Sequence, residues 1–293
     1  MRRVLKGAGY VAGALAVLMV VGSATAFTVS NRKLTTRYDV TLTSVIVPDD
    51  EEAVAWGRHL VLAVTGCRDC HGPDLSGTIM SDDAVALMAA PNLTSGQGGI
   101  GGSMADDDWV RAIRHGVRRD GSSLLIMPSY AYANLSDRDL GSMIAYLKQL
   151  PPVDNELPAM KLRPMGRALV AAGLFDEEIV ARKTPFRASY DEVEPGMTFE
   201  YGRYLAAISG CTGCHRPDLK GGPSGAPDAP PAADISPAAL ADWDRDDFFR
   251  VIREGRRPDG TELSEYMPWR YMSDMTDDEL DAIWLYLQSV ETD

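Results

Sequence analysis

The sequence predicts an all-α protein of two tandem domains that follow an N-terminal apolar helix. One observation is an internal repeat: residues 105–121 align with residues 244–260 at an offset of 139, sharing acidic, aromatic, Arg, Ile and Gly positions. Another is the helical spacing of apolar residues in both copies. The third is an uncharged run at residues 7–31, which is long enough to cross a bilayer. With 293 residues, the chain has room for two independent domains of ordinary size.

The first 37 residues differ in composition from the rest of the chain. Their only charges are basic and lie at the two ends of the segment. A basic start, an apolar stretch and the small residues at 24–26 also fit a secretory signal peptide. Apolar residues continue past that cleavage site, at Phe27 and Val29, so we favour a retained transmembrane anchor. Both interpretations export everything that follows.

Each half of the chain predicts three short helices. The first covers about Asp49 to Thr65, and its counterpart covers Phe199 to Ser209. The next covers about residues 107–115 and 246–254, and a glycine ends each copy. The last helix follows a capping sequence and carries an apolar stripe at i, i+3, i+4, i+7. The two stripes are Leu140, Met143, Ile144, Leu147 and Leu280, Ile283, Trp284, Leu287.

All four cysteines lie in two copies of one motif. Cys67, Cys70 and His71 read C-R-D-C-H, and the second copy, Cys211, Cys214 and His215, reads C-T-G-C-H. C-x-x-C-H is the signal for covalent attachment of a c-type haem. Two thiols one helical turn apart can both add to vinyl groups on one porphyrin edge, and the next residue places an imidazole under the iron. A four-thiolate zinc site, a pair of redox dithiols and a structural disulfide are weaker interpretations, because none of them needs the histidines.

Several further motifs recur in both halves and carry a resemblance to a known family. They are APNLT at 90–94 followed by GIGG at 99–102, DDWVRAIRHG at 107–116, MP at 127–128, LSDRDL and YLKQLPPV within 135–153, and their second-half counterparts. With the two haem motifs, they make the chain resemble a membrane-anchored dihaem cytochrome c with two tandem class I domains. The resemblance implies short helices wrapped around each covalently bound haem, which itself supplies much of each core.

The resemblance also implies the iron ligands. His71 and His215 take the proximal positions in their motifs. Met127 and Met267 recur 56 and 52 residues later, each followed by Pro, and we expect them to be the distal ligands. The other methionines considered are Met80, Met88, Met104, Met272 and Met275, none of which recurs in register with the haem motif.

One departure from the family pattern separates the two halves. Trp243 suits a position from which relatives' indole groups contact a haem propionate, whereas the first half has Met104 there. This contact is therefore expected at the second haem alone.

These observations divide the chain into four parts. They are an anchor or signal segment at 1–37, a first cytochrome c domain at 38–153, a linker at 154–195 and a second cytochrome c domain at 196–293. The middle of the linker, Leu162 to Phe175, is compatible with an amphipathic helix that packs between the domains or lies on the membrane surface.

The chain has a net charge of −13, and residues 38–293 hold 23 basic and 42 acidic residues, a net of −19. This acidity argues against a nucleic-acid partner. It is compatible with simple solubility and with steering toward a basic redox partner. The resemblance implies a non-enzymatic electron carrier on the periplasmic side of a bacterial inner membrane. It would relay single electrons from a dehydrogenase or quinol-oxidising complex to an oxidase or other cytochrome. The alternative is a dihaem peroxidase, which needs one iron with a position that can open to peroxide.

Overall fold

The computed structural model describes residues 2–186, 191–223 and 229–290, and this part of the chain is mainly helical. The all-α fold class is therefore confirmed. Two predicted segments, the loop at 221–237 and the linker at 154–195, lie partly outside the described residues. The helices are α1 (Arg2–Leu34), α2 (Glu51–His59), α3 (Cys67–His71), α4 (Asp106–His115), α5 (Ser129–Tyr132), α6 (Asp137–Lys148), α7 (Pro164–Ala172), α8 (Phe199–Ile208), α9 (Cys211–Cys214), α10 (Arg245–Glu254), α11 (Trp269–Met272) and α12 (Asp277–Ser289).

The first helix of each repeat packs closely on the last. Helix α2 lies against α6, and α8 lies against α12. A glycine makes each approach possible, because a Cβ at Gly57 would overlap the carbonyl oxygen of Ser142. A Cβ at Gly202 would likewise overlap that of Ala282. The predicted caps of the last helices are present: Ser136 and Thr276 accept hydrogen bonds from the backbone N–H three residues later.

The helices that end in glycine also follow the prediction. Helix α4 ends at Gly116 and α10 at Gly255, and both glycines have a left-handed backbone, with φ of 65° and 68°. This is the conformation that favours glycine after a helix.

An extra residue distinguishes the first repeat. Ten positions separate Gly57 from Cys67, whereas nine separate Gly202 from Cys211. The first repeat accommodates the extra residue in a π-helical turn over Leu60–Val64, which directly follows α2. Thr65 N–H donates to Leu60 O at 2.8 Å, closing this wider turn. The two cysteine motifs therefore keep equivalent positions.

A small antiparallel sheet in the first half was not predicted. It consists of β1 (Thr78–Asp82), β2 (Ala86–Ala90) and β3 (Lys161–Leu162), in that order. Asp83 forms the hairpin turn, because its Oδ1 accepts the backbone N–H groups of Val85 and Ala86 at 2.7 and 3.0 Å. Strand β3 comes from the predicted linker, so part of that segment pairs with the first domain. The domain boundaries themselves stay a prediction.

The two repeats share one hydrophobic core, so the two domains pack directly against each other. One continuous cluster of buried side chains includes Leu60 and Leu140 from the first half and Leu205 and Leu280 from the second. Two polar side-chain pairs also connect the domains, and each joins the first helix of one repeat to the last helix of the other. His59 Nε2 lies 2.8 Å from Glu279 Oε1, and Tyr204 donates to Asp139 Oδ2 at 2.5 Å. His59 and Tyr204 are repeat equivalents, as are Glu279 and Asp139, so the interface has approximate two-fold symmetry.

Over Gly9–Leu34, helix α1 is long and apolar enough to cross a membrane, and its large apolar side chains from Tyr10 to Phe27 are exposed. Its C-terminal end contacts α7, the helix predicted between Leu162 and Phe175. Helix α7 therefore packs against the end of the N-terminal helix and against the sheet, where Leu162 and Val170 share a small core with Ala86 and Leu34.

Candidate haem sites

A glycine with a left-handed backbone immediately precedes each C-x-x-C-H motif. Gly66 and Gly210, with φ of 62° and 85°, direct the chain into the short helices α3 and α9. The structure describes all four cysteines and pairs none of them in a disulfide. Thr65 Oγ1 lies 3.3 Å from Cys67 Sγ, and Ser209 Oγ lies 3.4 Å from Cys211 Sγ, a second feature that both repeats share.

The thiols do not resemble those of a metal or redox site. Burial raises the pKa of Cys67 to about 11 and also raises the pKa values of Cys70, Cys211 and Cys214. Reactive redox dithiols instead need a lowered thiol pKa. Within the described residues, no group of three or more His, Cys, Asp or Glu side chains converges to hold a metal ion. The zinc and dithiol interpretations are thereby disfavoured.

Both histidines of the motifs are oriented in the same way. Nδ1 of His71 donates to Pro91 O, and Nδ1 of His215 donates to Ala233 O, each at 2.8 Å. A carbonyl oxygen can only accept, so each ring carries its proton on Nδ1 and leaves the Nε2 lone pair available. Burial lowers the pKa of both imidazoles, which favours this neutral form. Such a second hydrogen bond is the usual device for orienting a metal-ligating histidine.

A repeated turn that the sequence analysis missed holds these carbonyls in place. Leu75 and Leu219, each the last residue of a Pro-Asp-Leu sequence, have φ of 61° and 58°, a left-handed conformation that is rare for leucine. Their side chains are fully buried, which offsets the strain. The carbonyl of Leu75 accepts from Leu93 N–H, and that of Leu219 accepts from Ile235 N–H, next to the segments that bond the histidines. The recurring Pro-Asp-Leu after both motifs was the available signal.

The second repeat encloses a cavity of about 270 Å³ beside its motif. Cys211, Cys214 and His215 line one part of it, and Met267 and Trp243 line the rest together with apolar side chains. The structure thus brings together every residue predicted for the second site. Met272 and Met275 also line the cavity, but they are 4% and 2% exposed and belong to the core. Arg257 lies at the same cavity, and its guanidinium donates to Glu262 O at 3.1 Å.

In the first repeat, Met127 occupies the position equivalent to Met267. Each methionine is half-buried and precedes Pro and a one-turn helix, α5 or α11. The other first-half candidates lie elsewhere: Met80 is in β1, Met88 is in β2, and Met104 follows a short 3-10 turn. The indole N–H of Trp109, in α4, is buried and has no hydrogen-bond partner in the part of the chain that the structure describes. Such an orphaned donor fits a first site that holds a hydrogen-bond acceptor, and the sequence analysis did not single it out.

The two methionine loops differ in how they are held. Ile126, just before Met127, has φ of 72°, which is strained for a β-branched residue. Two backbone hydrogen bonds hold this loop against the predicted linker. Ile126 N–H donates to Glu178 O at 3.1 Å, and Val180 N–H donates to Leu124 O at 3.2 Å. Tyr266, which precedes Met267, is 47% exposed and does not have a left-handed backbone.

Comparison with protein families agrees with this geometry. Residues 199–291 match the family model described as cytochrome c, and residues 52–147 match the model described as cytochrome C oxidase, cbb3-type, subunit III. The chain therefore contains two cytochrome c domains, one in each matched segment. These domains bind two haem c groups covalently, through the Cys67/Cys70 and Cys211/Cys214 pairs.

Several relatives that match most of the chain are named as cytochrome subunits of dehydrogenases. The chain is 26% identical to the fructose dehydrogenase cytochrome subunit of Gluconobacter japonicus, over 81% of the chain and 52% of the relative. It is 26% identical to the gluconate 2-dehydrogenase cytochrome c subunit of Pantoea cypripedii, over 85% and 63%. It is 28% identical to a diheme cytochrome c-type protein of Cereibacter sphaeroides, over 77% and 82%. The dihaem chain thus spans about half to two thirds of the length of the two dehydrogenase subunits.

Proposed function

We propose that this dihaem cytochrome relays single electrons between membrane redox proteins. The observation that carries the proposal is the placement of both haem-attachment motifs at one shared interface. A Cβ at Gly66 would lie 2.6 Å from the ring of Tyr271, and a Cβ at Gly213 would lie 2.7 Å from the hydroxyl oxygen of Tyr130. Each attachment helix therefore begins or runs against an aromatic side chain of the other domain, with no solvent layer between them.

The tyrosines at this interface are fixed by hydrogen bonds. Tyr132 donates to Thr65 O at 2.6 Å, and Tyr271 donates to Ser209 O at 2.7 Å. Both acceptors immediately precede the glycine of a haem motif. Burial raises the pKa of both phenols well above the usual range, so they stay protonated. A rigid, dry contact of this kind suits electron exchange between the two domains, because little reorganisation accompanies the movement of charge.

The proposed distal ligands complete the assignment. Met127 and Met267 would bind iron opposite His71 and His215, and Pro128 and Pro268 stiffen the loops that carry them. When bound, each haem iron would carry one electron by alternating between the ferric and ferrous states. Thioether ligation raises the reduction potential relative to bis-histidine ligation and occupies the remaining axial position. The chain would then be a carrier with no substrate of its own, and a peroxidase reaction would lack an open site.

The relatives support the partners proposed for this carrier, and α1 supports its proposed location in the membrane. Cytochrome subunits of dehydrogenases among the relatives support a dehydrogenase or a quinol-oxidising complex as the donor. An oxidase or another cytochrome would be the acceptor. Helix α1 would anchor the chain in the bacterial inner membrane. Attachment of haem to cysteines on the oxidising side would place both domains in the periplasm.

The matched substitutions Met267→Leu and Met275→Leu test the ligand assignment and the relay together. Both remove a thioether from the same cavity with little change in volume. We expect Met267→Leu to abolish the methionine-to-iron charge-transfer band of one ferric haem and to lower its potential in a redox titration. Met275→Leu should leave both unchanged. An unaltered band in Met267→Leu, or rapid peroxide turnover by the wild-type holoprotein, would contradict the proposal.

A further inference from the structure

Helix α7 is fixed to the end of the N-terminal helix by specific contacts. Lys33 Nζ donates to Val170 O at 2.9 Å and forms an ion pair with Asp176 at 2.9 Å. The guanidinium of Arg167 lies 4.5 Å from the ring centroid of Phe27. Helix α7 therefore lies at the level of residues 27–34 of α1.

That level corresponds to the membrane interface if α1 spans the bilayer. A hydrocarbon core of about 30 Å is crossed by roughly 20 helical residues, and the headgroup regions extend the bilayer to about 40–45 Å. The uncharged run begins at Gly7, so a span of that length ends near Ala26. About the first four or five of residues 27–34 then lie among the lipid headgroups, and the others lie at the aqueous edge of that layer. The cations Arg32 and Lys33 mark this interface, as basic residues commonly do at the end of a span.

The two sides of α7 have different surroundings. On the inner side, Val170 is fully buried, and a Cβ at Gly166 would overlap Val85 O, so the helix rests directly on the first domain. On the outer side, Met165 is 49% exposed, and Leu174, just past the helix, is 75% exposed. Ala168 and Ala172 are also exposed on this side.

The charge of this segment is unlike that of the rest of the chain. Residues 164–174 contain a single charged side chain, Arg167, and it lies over Phe27. Lys161 and Arg163 come immediately before the helix. An apolar helix face with cations at its N-terminal side fits a helix that lies in the plane of a lipid interface. The chain as a whole carries a net charge of −13, which makes this local combination distinctive.

We propose that the outer face of α7, formed by Met165, Ala168, Ala172 and Leu174, lies in the headgroup region of the bilayer. The inference rests on the proposed membrane anchor and adds a second point of attachment. The segment that follows α7 is also hydrogen-bonded to the loop before Met127, because Ile126 N–H donates to Glu178 O. The first cytochrome domain is thereby held directly on the membrane, with a fixed side facing the lipid, and does not swing freely from α1.

Site-directed spin labelling of the holoprotein in phosphatidylglycerol/phosphatidylethanolamine vesicles tests this placement. The haems consume all four native cysteines, so a cysteine introduced by Met165→Cys or Leu174→Cys is the only free thiol. Ala239→Cys, at an exposed position of the second domain, is the matched control. We expect the ratio of collisions with oxygen to collisions with a water-soluble nickel chelate to be several-fold higher at positions 165 and 174 than at 239. Equal ratios at the three positions would overturn the proposal.

A fourth label separates this inference from the anchor itself. Val20→Cys lies in the apolar part of α1, and N-terminal sequencing of the same sample identifies the mature start. If the label at position 20 lies in lipid while the labels at positions 165 and 174 lie in water, the membrane anchor stands and the placement of α7 at the bilayer is refuted. A mature N-terminus at Phe27 would refute the anchor and, with it, the depth argument. Haem absorbance spectra of each variant establish that it is folded.

Discussion

At the residue scale, His115 is a buried imidazole that the proposed function does not use. It is 2% exposed, neither ring nitrogen has a hydrogen-bond partner among residues 2–186, 191–223 and 229–290, and its ring stacks on Phe186 with centroids 5.6 Å apart. Burial, with a further contribution from Arg114 and Arg111, lowers the pKa of His115 to about 4. The residue is therefore neutral in the folded protein at all but acidic pH.

This pKa predicts a pH-dependent stability. The unfolded chain binds a proton at His115 near pH 6.5, whereas the folded chain does so only near pH 4, so falling pH favours the unfolded state across this window. Protonation of His115 in the unfolded chain therefore removes about 3 kcal/mol of unfolding free energy as the pH falls from above 6.5 to about 4. We expect His115→Leu to reduce the loss of unfolding free energy between pH 7 and pH 4.5, measured by urea denaturation. An acid dependence identical to that of the wild type would contradict the assignment.

At the element scale, the helix pairs of the two repeats depend on close backbone approach. Gly57 in α2 rests on the carbonyl of Ser142, and Gly202 in α8 rests on that of Ala282. Neither glycine has a left-handed backbone, so it is the lack of a side chain, and not conformational freedom, that these positions need. The same contact in both repeats identifies it as part of the domain architecture.

A single methyl group at this contact should be strongly destabilising. For Gly57→Ala we expect a loss of about 3 kcal/mol of unfolding free energy, at the upper end of overpacking costs, because a carbonyl in a helix cannot move aside. Gly102→Ala is the control, since its Cβ would meet Ser95 Cβ at an ordinary 3.4 Å. Surface substitutions of that kind usually change stability by less than about 0.5 kcal/mol. Equal urea midpoints for the two variants would refute this account of the helix pair.

At the scale of the whole molecule, polar contacts join the two cytochrome domains in addition to the shared core. Asp139 accepts from Tyr204 of the other domain and from Trp56 Nε1 of its own, at 2.5 and 2.7 Å. Its symmetry equivalent, Glu279, pairs with His59. Arg68, within the first haem motif, pairs with Asp274 of the second domain at 2.5 Å. The two domains should therefore unfold together.

Removal of one hydroxyl tests this coupling. Tyr204→Phe leaves Asp139 Oδ2 buried without its donor, and we expect a loss of about 1–3 kcal/mol with a single unfolding transition retained. Tyr146→Phe is the control, because its hydroxyl makes no hydrogen bond within residues 2–186, 191–223 and 229–290. Two separate transitions in the wild-type holoprotein, followed by circular dichroism and haem absorbance, would show that the interface does not couple the domains.

The sequence by itself determined the features that are local along the chain. The spacing within Cys67–His71 and Cys211–His215 specifies covalent haem attachment, because the chemistry requires only two thiols one turn apart and the next side chain. The periodicity of apolar residues and the caps at Ser136 and Thr276 likewise predicted the helices, since each signal lies within a few residues.

The tertiary structure alone decided what depends on distant partners. The contact of His59 with Glu279 joins residues 220 apart in the chain, and no local pattern specifies it. The same holds for the small sheet, which is completed by Lys161 and Leu162, and for the packing of α7 on α1. The π-helical turn at Leu60–Val64 accommodates an extra residue between Gly57, which packs on Ser142 of its own domain, and Gly66, which lies against Tyr271 of the second domain. All of these features have the same physical reason: each is stabilised by burial or hydrogen bonding between segments that only the folded chain brings together.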